Sequence, residues 1–212
     1  MSKIYVQYGC GMSSPQGWKN FDASPTLRLQ QLPLIGNLLK QRMHITFPDN
    51  VLQGDIIKGL PGITDNSADG VYCSHVLEHL TYEDFLIAVR NTYRILKPGG
   101  IFRCVVPDLE KAAREYVEDL TNHDQGANAK FLEKTRLGKT HRRRGIKGLL
   151  QNTYGNSDHL FMWDNLSLSN ELYRAGFSYV RAATFNDSED DMFKLVESEG
   201  RFNNAVALEA KK

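Results

Sequence analysis

The chain predicts an α/β fold with a doubly wound, mostly parallel sheet, and two observations carry that reading. Short β-like runs alternate with longer helix-like segments, with no internal repeat. In addition, the run Gly70–Cys73, the helical stretch Thr81–Leu96, the turn Lys97-Pro98-Gly99-Gly100 and the run Ile101–Val106 form a complete strand–helix–strand unit. Ligands of such sheets sit at the carboxyl ends of the strands, so the loops there are the first places to look for a site.

Ile4–Gln7 has strand length, and Tyr8-Gly9-Cys10-Gly11 follows it directly. Val51-Leu52-Gln53 is a second run, Gly70–Cys73 a third and Ile101–Val106 a fourth, enriched in β-branched residues. Between the last two, Phe85, Leu86, Val89, Tyr93 and Leu96 recur at helical spacing until the Pro-Gly turn stops them. Beyond Pro107 a helix is expected over Leu109–Leu120, then a polar, cationic segment through Lys147. A further helix over Asn165–Ala175 ends at Gly176. Tyr179–Phe185 and Ala205–Glu209 alternate like strands and are expected to pair antiparallel at one edge.

The 212 residues carry 26 Lys+Arg against 25 Asp+Glu, a net charge of +1 that argues against a dedicated nucleic-acid binder. At 41% hydrophobic and 24% charged the composition is that of a globular chain, which excludes wholesale disorder. Three widely spaced cysteines, Cys10, Cys73 and Cys104, form no Cys-x-x-Cys pair and fit a reducing compartment. The amino terminus lacks a signal-peptide pattern and no stretch reaches bilayer-spanning length, so the expectation is a cytoplasmic protein. The length fits one domain over residues 1–212, with a helical and basic insertion at about 109–157.

The Gly9-Cys10-Gly11 turn permits positive φ and close ligand approach. It lacks the third glycine of a dinucleotide fingerprint, and Asp22 follows Gly11 too closely for the usual intervening helix, which disfavours NAD. The ordered set of Gly-Cys-Gly, Gly17-Trp18 before Asp22, Gly54-Asp55-Ile56, His75-Val76-Leu77-Glu78-His79 and Leu96-Lys97-Pro98-Gly99-Gly100 resembles the class I S-adenosylmethionine-dependent methyltransferases. So does a late histidine followed by aromatic residues. The likeness covers about Lys3–Pro107 and Asp158–Glu209. It is nearest to the short methyltransferases associated with sugar and polysaccharide assembly.

That resemblance implies a Rossmann-like, seven-stranded sheet and an O-methyltransferase that moves a methyl group from S-adenosylmethionine to a sugar or glycan hydroxyl, releasing S-adenosylhomocysteine. It implies that the backbone around Tyr8, Gly9 and Gly11 approaches the methionyl part. Asp22, next to Ala23, accepts from the ribose hydroxyls, and Asp55 accepts from the adenine amino group with Ile56 on the ring. Ser74 and the His75 backbone line the methionine end. Read without the resemblance, Asp22 is a turn or capping residue and Asp55 a loop carboxylate in water. The sequence departs from the family pattern at Gln7, where many members carry an acid. The helix after the glycine turn is also curtailed, and Leu27–Leu39 is the expected replacement for its packing.

A sugar hydroxyl must lose a proton, and histidine has a suitable ordinary pKa. His159, beside Asp158, is the first candidate base, and His75 at a strand end is the second. Asp108 either orients the acceptor or caps the helix from Leu109; the residues leave both open. His75-Val76-Leu77-Glu78-His79 matches an inverted zinc-protease pattern on a helix, but its place inside a strand–helix–strand unit argues against a protease. With His75 where related cation-binding sets carry an acid, a divalent metal is left open but not favoured, and Glu78 and His79 are read as helix-start residues. Lys130–Lys147 holds eight Lys+Arg and one acid. It is read as a solvated surface, with a lid for an acidic acceptor as the sharper alternative. The competing functions are methylation of a small metabolite or of nucleic acid, and a non-catalytic binding domain. Homo-oligomerisation is left open.

Overall fold

The structure is a computed structural model that describes residues 3–33, 46–138 and 158–212. Seven strands form one sheet in the order β3-β2-β1-β4-β5-β7-β6. They are β1 (Tyr5–Tyr8), β2 (Trp18–Asp22), β3 (Val51–Gln53), β4 (Ala68–Ser74), β5 (Leu96–Pro107), β6 (Tyr179–Ala182) and β7 (Ala205–Lys211). β1 to β5 are mutually parallel, whereas β7 runs antiparallel to both β5 and β6. The expected mostly parallel sheet with an antiparallel edge is therefore present.

The helices are α1 (Pro25–Gln30), α2 (Tyr82–Ile95), α3 (Leu109–Thr121), α4 (Ala127–Thr135), α5 (Asn165–Arg174) and α6 (Glu199–Phe202). Thr81 caps α2 by accepting from Asp84 N at 3.2 Å. Phe85, Ala88, Val89 and Ile95 form its buried stripe. The stripe packs with Val6, Tyr8, Val71, Cys73, Phe102 and Cys104 of the central strands and with Leu168 and Leu172 of α5. Each large apolar side chain buried there contributes about 1.5–3 kcal/mol.

Residues of the opposite face, among them Tyr5, Trp18, Tyr72, Ile101 and Val105, form a second cluster with Phe193 and Val196. The cover comes from the far end of the chain, through a 3₁₀ turn at Asp191–Leu195 and α6. Trp18 Nε1 donates to Met192 O at 3.1 Å. Of the Leu27–Leu39 run expected to supply packing, Leu27 packs with Cys10, Phe47 and Val51 at the sheet edge, and Leu34–Leu39 lies outside the described residues.

Other expectations shift at their ends. The first strand is displaced by one residue to Tyr5–Tyr8. The Lys-Pro-Gly-Gly turn stops α2 but leads straight into β5, where Gly99 N donates to Lys212 O at 2.8 Å. The Tyr179–Phe185 run stops pairing at Ala182, and the chain turns at Asn186 with φ 61°. β2, which the resemblance alone implied, is the strand whose composition hid it. The three cysteines are free and buried, and burial pushes the Cys10 and Cys104 thiols up to about 12, which leaves them protonated and unreactive.

Candidate active site at the carboxyl ends of the strands

The parallel strands β1 to β4 all deliver their carboxyl ends to one side, and the expected cofactor residues fall there. Gly9 and Gly11 both lie at positive φ, +62° and +56°. A Cβ at Gly9 would collide with the Val76 side chain, whereas one at Gly11 would meet nothing within 4 Å. Gly9 thus closes the turn onto the loop after β4 and Gly11 leaves open space beside its backbone. Asp22, at the end of β2, accepts from Gly11 N at 2.9 Å and from Ser24 N at 2.8 Å. Its carboxylate locks the glycine turn, as the capping reading held, and each oxygen has a further lone pair for another donor.

Asp55 follows β3, is half-buried and accepts from Ile57 N at 3.0 Å, with Lys58 Nζ at 3.5 Å. Ala23 is exposed beside Asp22. Ser74 ends β4 with its Oγ buried. One expected contact, that of the Ile56 side chain, needs correction. The Tyr8 ring is packed in the core, where its hydroxyl accepts from Thr92 Oγ1 at 3.2 Å, so only its backbone belongs to the crevice. Ile56 likewise belongs to the core under α2, so its side chain is not placed to stack on a ring.

Beyond β4 and β5 lies a cavity of about 390 Å³ that brings together His75, Glu78, His79, Asp108 and His159. His75 sits in the left-handed region at φ 53°, a strained conformation for a non-glycine residue, at the turn out of β4. The expected α-helix for His75–His79 is absent. Leu77–His79 makes one 3₁₀ turn, and α2 begins at Tyr82. Leu160 N donates to Glu78 O at 2.7 Å, and Trp163 packs on Phe85 with ring centroids 4.1 Å apart, which fixes the His159 loop against that turn.

The centre of the arrangement is Glu78, whose side chain is fully buried and whose two carboxylate oxygens receive no hydrogen bond from the described residues. The nearest ring nitrogens are His75 Nδ1 at 3.3 Å and His79 Nε2 at 3.8 Å from Oε1. His159 is 7% exposed, its Nδ1 has no partner, and its ring lies 5.1 Å from that of His79. Burial, the largest influence, lowers the His159 pKa against the opposing pull of Glu78, so the neutral ring with a lone pair is favoured at neutral pH. Asp158, expected to support His159, contributes its carbonyl to His79 Nδ1 at 2.9 Å. Asp108 caps α3 by accepting from Lys111 N at 3.1 Å, and it also lines the cavity.

The wall has a cationic part, of which Lys134 and Arg136 fall in the basic segment singled out from the sequence and Arg201 was missed. Lys134, Arg136 and Arg201 line the same cavity, and nothing in the pattern around Arg201 signals it. Of the cationic segment, Lys130 and Lys134 are paired with Asp119, Asp124 and Glu115 across the α3–α4 hairpin. His141-Arg142-Arg143-Arg144 lies outside the described residues.

Residues 28–104 match a family model described as a methyltransferase domain. No curated protein matches the chain. Among solved structures it is similar to a SAM-dependent methyltransferase from Archaeoglobus fulgidus, at 16% identity and a TM-score of 0.53, covering 99% of this chain and 86% of that one. It is similar to a SAM-dependent methyltransferase, possible histamine N-methyltransferase, from Thermotoga maritima at 18% identity and a TM-score of 0.51, covering 99% and 82%. It is also similar to PigF with SAH at 16% identity and a TM-score of 0.51, covering 99% and 50%. At these identities the likeness establishes the fold.

The chain shares the fold of these S-adenosylmethionine-dependent methyltransferases, and its residues 28–104 match the methyltransferase-domain model. The residues at the strand ends fit the S-adenosylmethionine that the sequence resemblance implies. Gly11 leaves backbone open to a ligand, and Asp22 stands at the adjoining strand end with acceptor capacity to spare. Among the described residues no helix is long and apolar enough to cross a membrane.

Proposed function

We propose that this chain transfers a methyl group from S-adenosylmethionine to a hydroxyl of a sugar or glycan. One observation supports that acceptor class above the others: the cavity beside the strand-end crevice is walled mainly by ionisable and amide side chains, with Pro107, Ala112 and Met162 as the apolar exceptions. Such a wall suits a polar, hydroxyl-rich or anionic acceptor better than an apolar one. When bound, the cofactor supplies an electrophilic methyl group for in-line displacement.

The chain's own residues do the rest. Asp22 and the glycine turn hold the cofactor at the ends of β1 and β2, with Asp55 and Ser74 at the neighbouring strand ends. Asp108, Lys134, Arg136 and Arg201 orient the acceptor. Its hydroxyl proton leaves into the group made by His159, Glu78 and His79. His159 is preferred to His75 because both His75 nitrogens are already committed, Nδ1 toward Glu78 and Nε2 to the Arg201 carbonyl at 3.0 Å.

Calorimetry with S-adenosylmethionine tests the cofactor half of the reading. Wild type binds and Asp22→Ala weakens binding by about tenfold or more, the scale of one charge-assisted hydrogen bond; no binding by folded wild type overturns it. Methyl transfer from labelled cofactor to sugars and sugar phosphates, against phenols, carboxylic acids and oligonucleotides, tests the acceptor half. Transfer confined to the latter group overturns the glycan assignment. His159→Ala is expected to lower kcat by about 10²- to 10⁴-fold with cofactor affinity unchanged, and a near wild-type rate removes His159 from the mechanism.

A further inference from the structure

We infer that Arg136 and Arg201 form a clamp for an anionic group, a phosphate or a carboxylate, carried by the sugar that enters the cavity. Both arginines line it, and among the described residues neither guanidinium has a hydrogen bond or an ion pair. The third cation of the wall, Lys134, is held by Glu115. Two acids line the same space without joining either arginine. The Glu78 side chain is fully buried, and Asp108 accepts from Lys111 N at 3.1 Å.

The backbone gives a second, independent reason. Among the described residues six that are not glycine have positive φ, and three of these, His75, Arg136 and Asn204, line this one cavity. Asparagine tolerates that region, whereas histidine and arginine occupy it only where the surrounding structure holds them there, a pattern that gathers at ligand sites. Arg136 ends α4 at φ 53° and ψ 23°, a place that helices usually give to glycine. Its amide donates to Glu133 O at 3.3 Å, beside the fully buried Thr135. Arg201 N donates to Ser198 O at 2.9 Å, and the Arg201 carbonyl is bonded to His75 Nε2 at 3.0 Å. Each guanidinium therefore hangs from a fixed backbone with its fork unused.

Such a fork matches two oxygens of a phosphate or carboxylate with parallel hydrogen bonds. A neutral hydroxyl accepts one hydrogen bond but brings no charge to answer the guanidiniums once water is displaced. Asp108 keeps lone pairs for sugar hydroxyls, so the wall combines acceptors for donors with forks for an anion, the pattern of a sugar that bears a negative charge. Arg136 also stands within electrostatic reach of His159: burial is the main cause of that histidine's lowered pKa, and the Arg136 charge adds to it. Binding of the anion rests on the cavity alone; that its bearer is the methyl acceptor rests on the methyl-transfer reading.

The test is calorimetry on the full-length chain with hexose phosphates, hexuronates and neutral hexoses. A charged class should bind at least about tenfold more tightly than the neutral one, the scale of one charge-assisted hydrogen bond. Tight binding of the phosphates or of the uronates supports the clamp and names its anion. Arg136→Gln and Arg201→Gln should each weaken that binding by about ten- to a hundredfold. Arg201→Lys, which keeps the charge but not the fork, should fall between. Both side chains are exposed and unpartnered, so the variants should stay folded by circular dichroism. Arg114→Gln removes an exposed cation outside the cavity and should bind as wild type does. Equal affinity for charged and neutral sugars, no binding of charged sugars, or an equal loss in Arg114→Gln overturns the clamp. Methyl-transfer assays on the same samples separate the two readings. Charged sugars that bind but accept no methyl group sink the methyl-transfer reading alone, and methylation of neutral sugars with no preference for charged ones sinks the clamp alone.

Discussion

Gly9 is held to glycine twice over, by its φ of +62° and by the Val76 side chain that an added Cβ would strike. Gly11 is held once, by φ alone, because the space beside it is open. The two substitutions therefore separate strain from collision. Gly11→Ala should cost about 1–2 kcal/mol, the price of a left-handed L-residue, whereas Gly9→Ala should add an overpacking penalty of about 1–3 kcal/mol. Val76→Ala placed on Gly9→Ala should recover most of that extra loss, read as urea midpoints; no recovery would mean that the turn does not lean on Val76. The sequence showed the two glycines and their place after a strand. It did not show which of them is crowded, because Val76 is remote in sequence.

At the scale of elements, what was legible was what local chemistry decides. Helix α2 was readable because an apolar stripe, a threonine cap and a Pro-Gly stop all lie within it. Strand β2 was hidden because Trp18-Lys19-Asn20-Phe21-Asp22 mixes polar and apolar residues without a clean period, and its buried Asn20 is accommodated by hydrogen bonds to Pro15 O and Trp18 O. The cluster at Glu78 was half legible. His75, Glu78 and His79 are neighbours in sequence, but the turn that aims them is 3₁₀, and His159 arrives only through tertiary contacts of its loop.

Capping makes a test at the same scale. Asp164 caps α5 by accepting from Ser167 N at 2.8 Å, with the reciprocal Ser167 bond completing a capping box. Asp108 caps α3 in the same way but also faces the cavity. Both alanine variants should lose about 0.5–2 kcal/mol of stability. Asp108→Ala should in addition raise KM for the acceptor while Asp164→Ala leaves it unchanged. Equal kinetics in the two would reduce Asp108 to a cap.

Across the whole molecule, one row of the sheet is polar over six of its seven strands. Asn20, Gln7, Tyr72, Arg103, Glu209 and Arg181 stand in register on successive strands from β2 to β6, on the face that the C-terminal segment covers, and only edge strand β3 breaks the row, with Val51. Arg103 is 1% exposed and donates to Glu197 at 2.6 Å, Glu209 at 2.8 Å, Asp187 at 2.9 Å and Thr184 O at 3.0 Å. Arg181 joins through Asp187 and Glu209. Because the partners come from β5, β6, β7 and the segment after β6, this network ties the cover to the sheet.

Its acid sensitivity follows from Asp187. Burial, the largest influence, raises the carboxyl pKa, but Arg181, a backbone hydrogen bond at Thr184 and Arg103 overcome it and hold the group at about 2, below its ordinary 3.8. A carboxyl depressed in the folded state contributes stability that is fully present above the unfolded value and lost as pH falls through the folded one. The window is therefore roughly pH 4 down to 2, and the loss is on the order of 2 kcal/mol. Urea unfolding of wild type should weaken across that window. Asp187→Asn, already lacking the charge, should be less stable at pH 6 and show a flatter dependence between pH 4 and 2. An unchanged slope in Asp187→Asn would place the acid-labile contact elsewhere and leave the arginine network as packing alone.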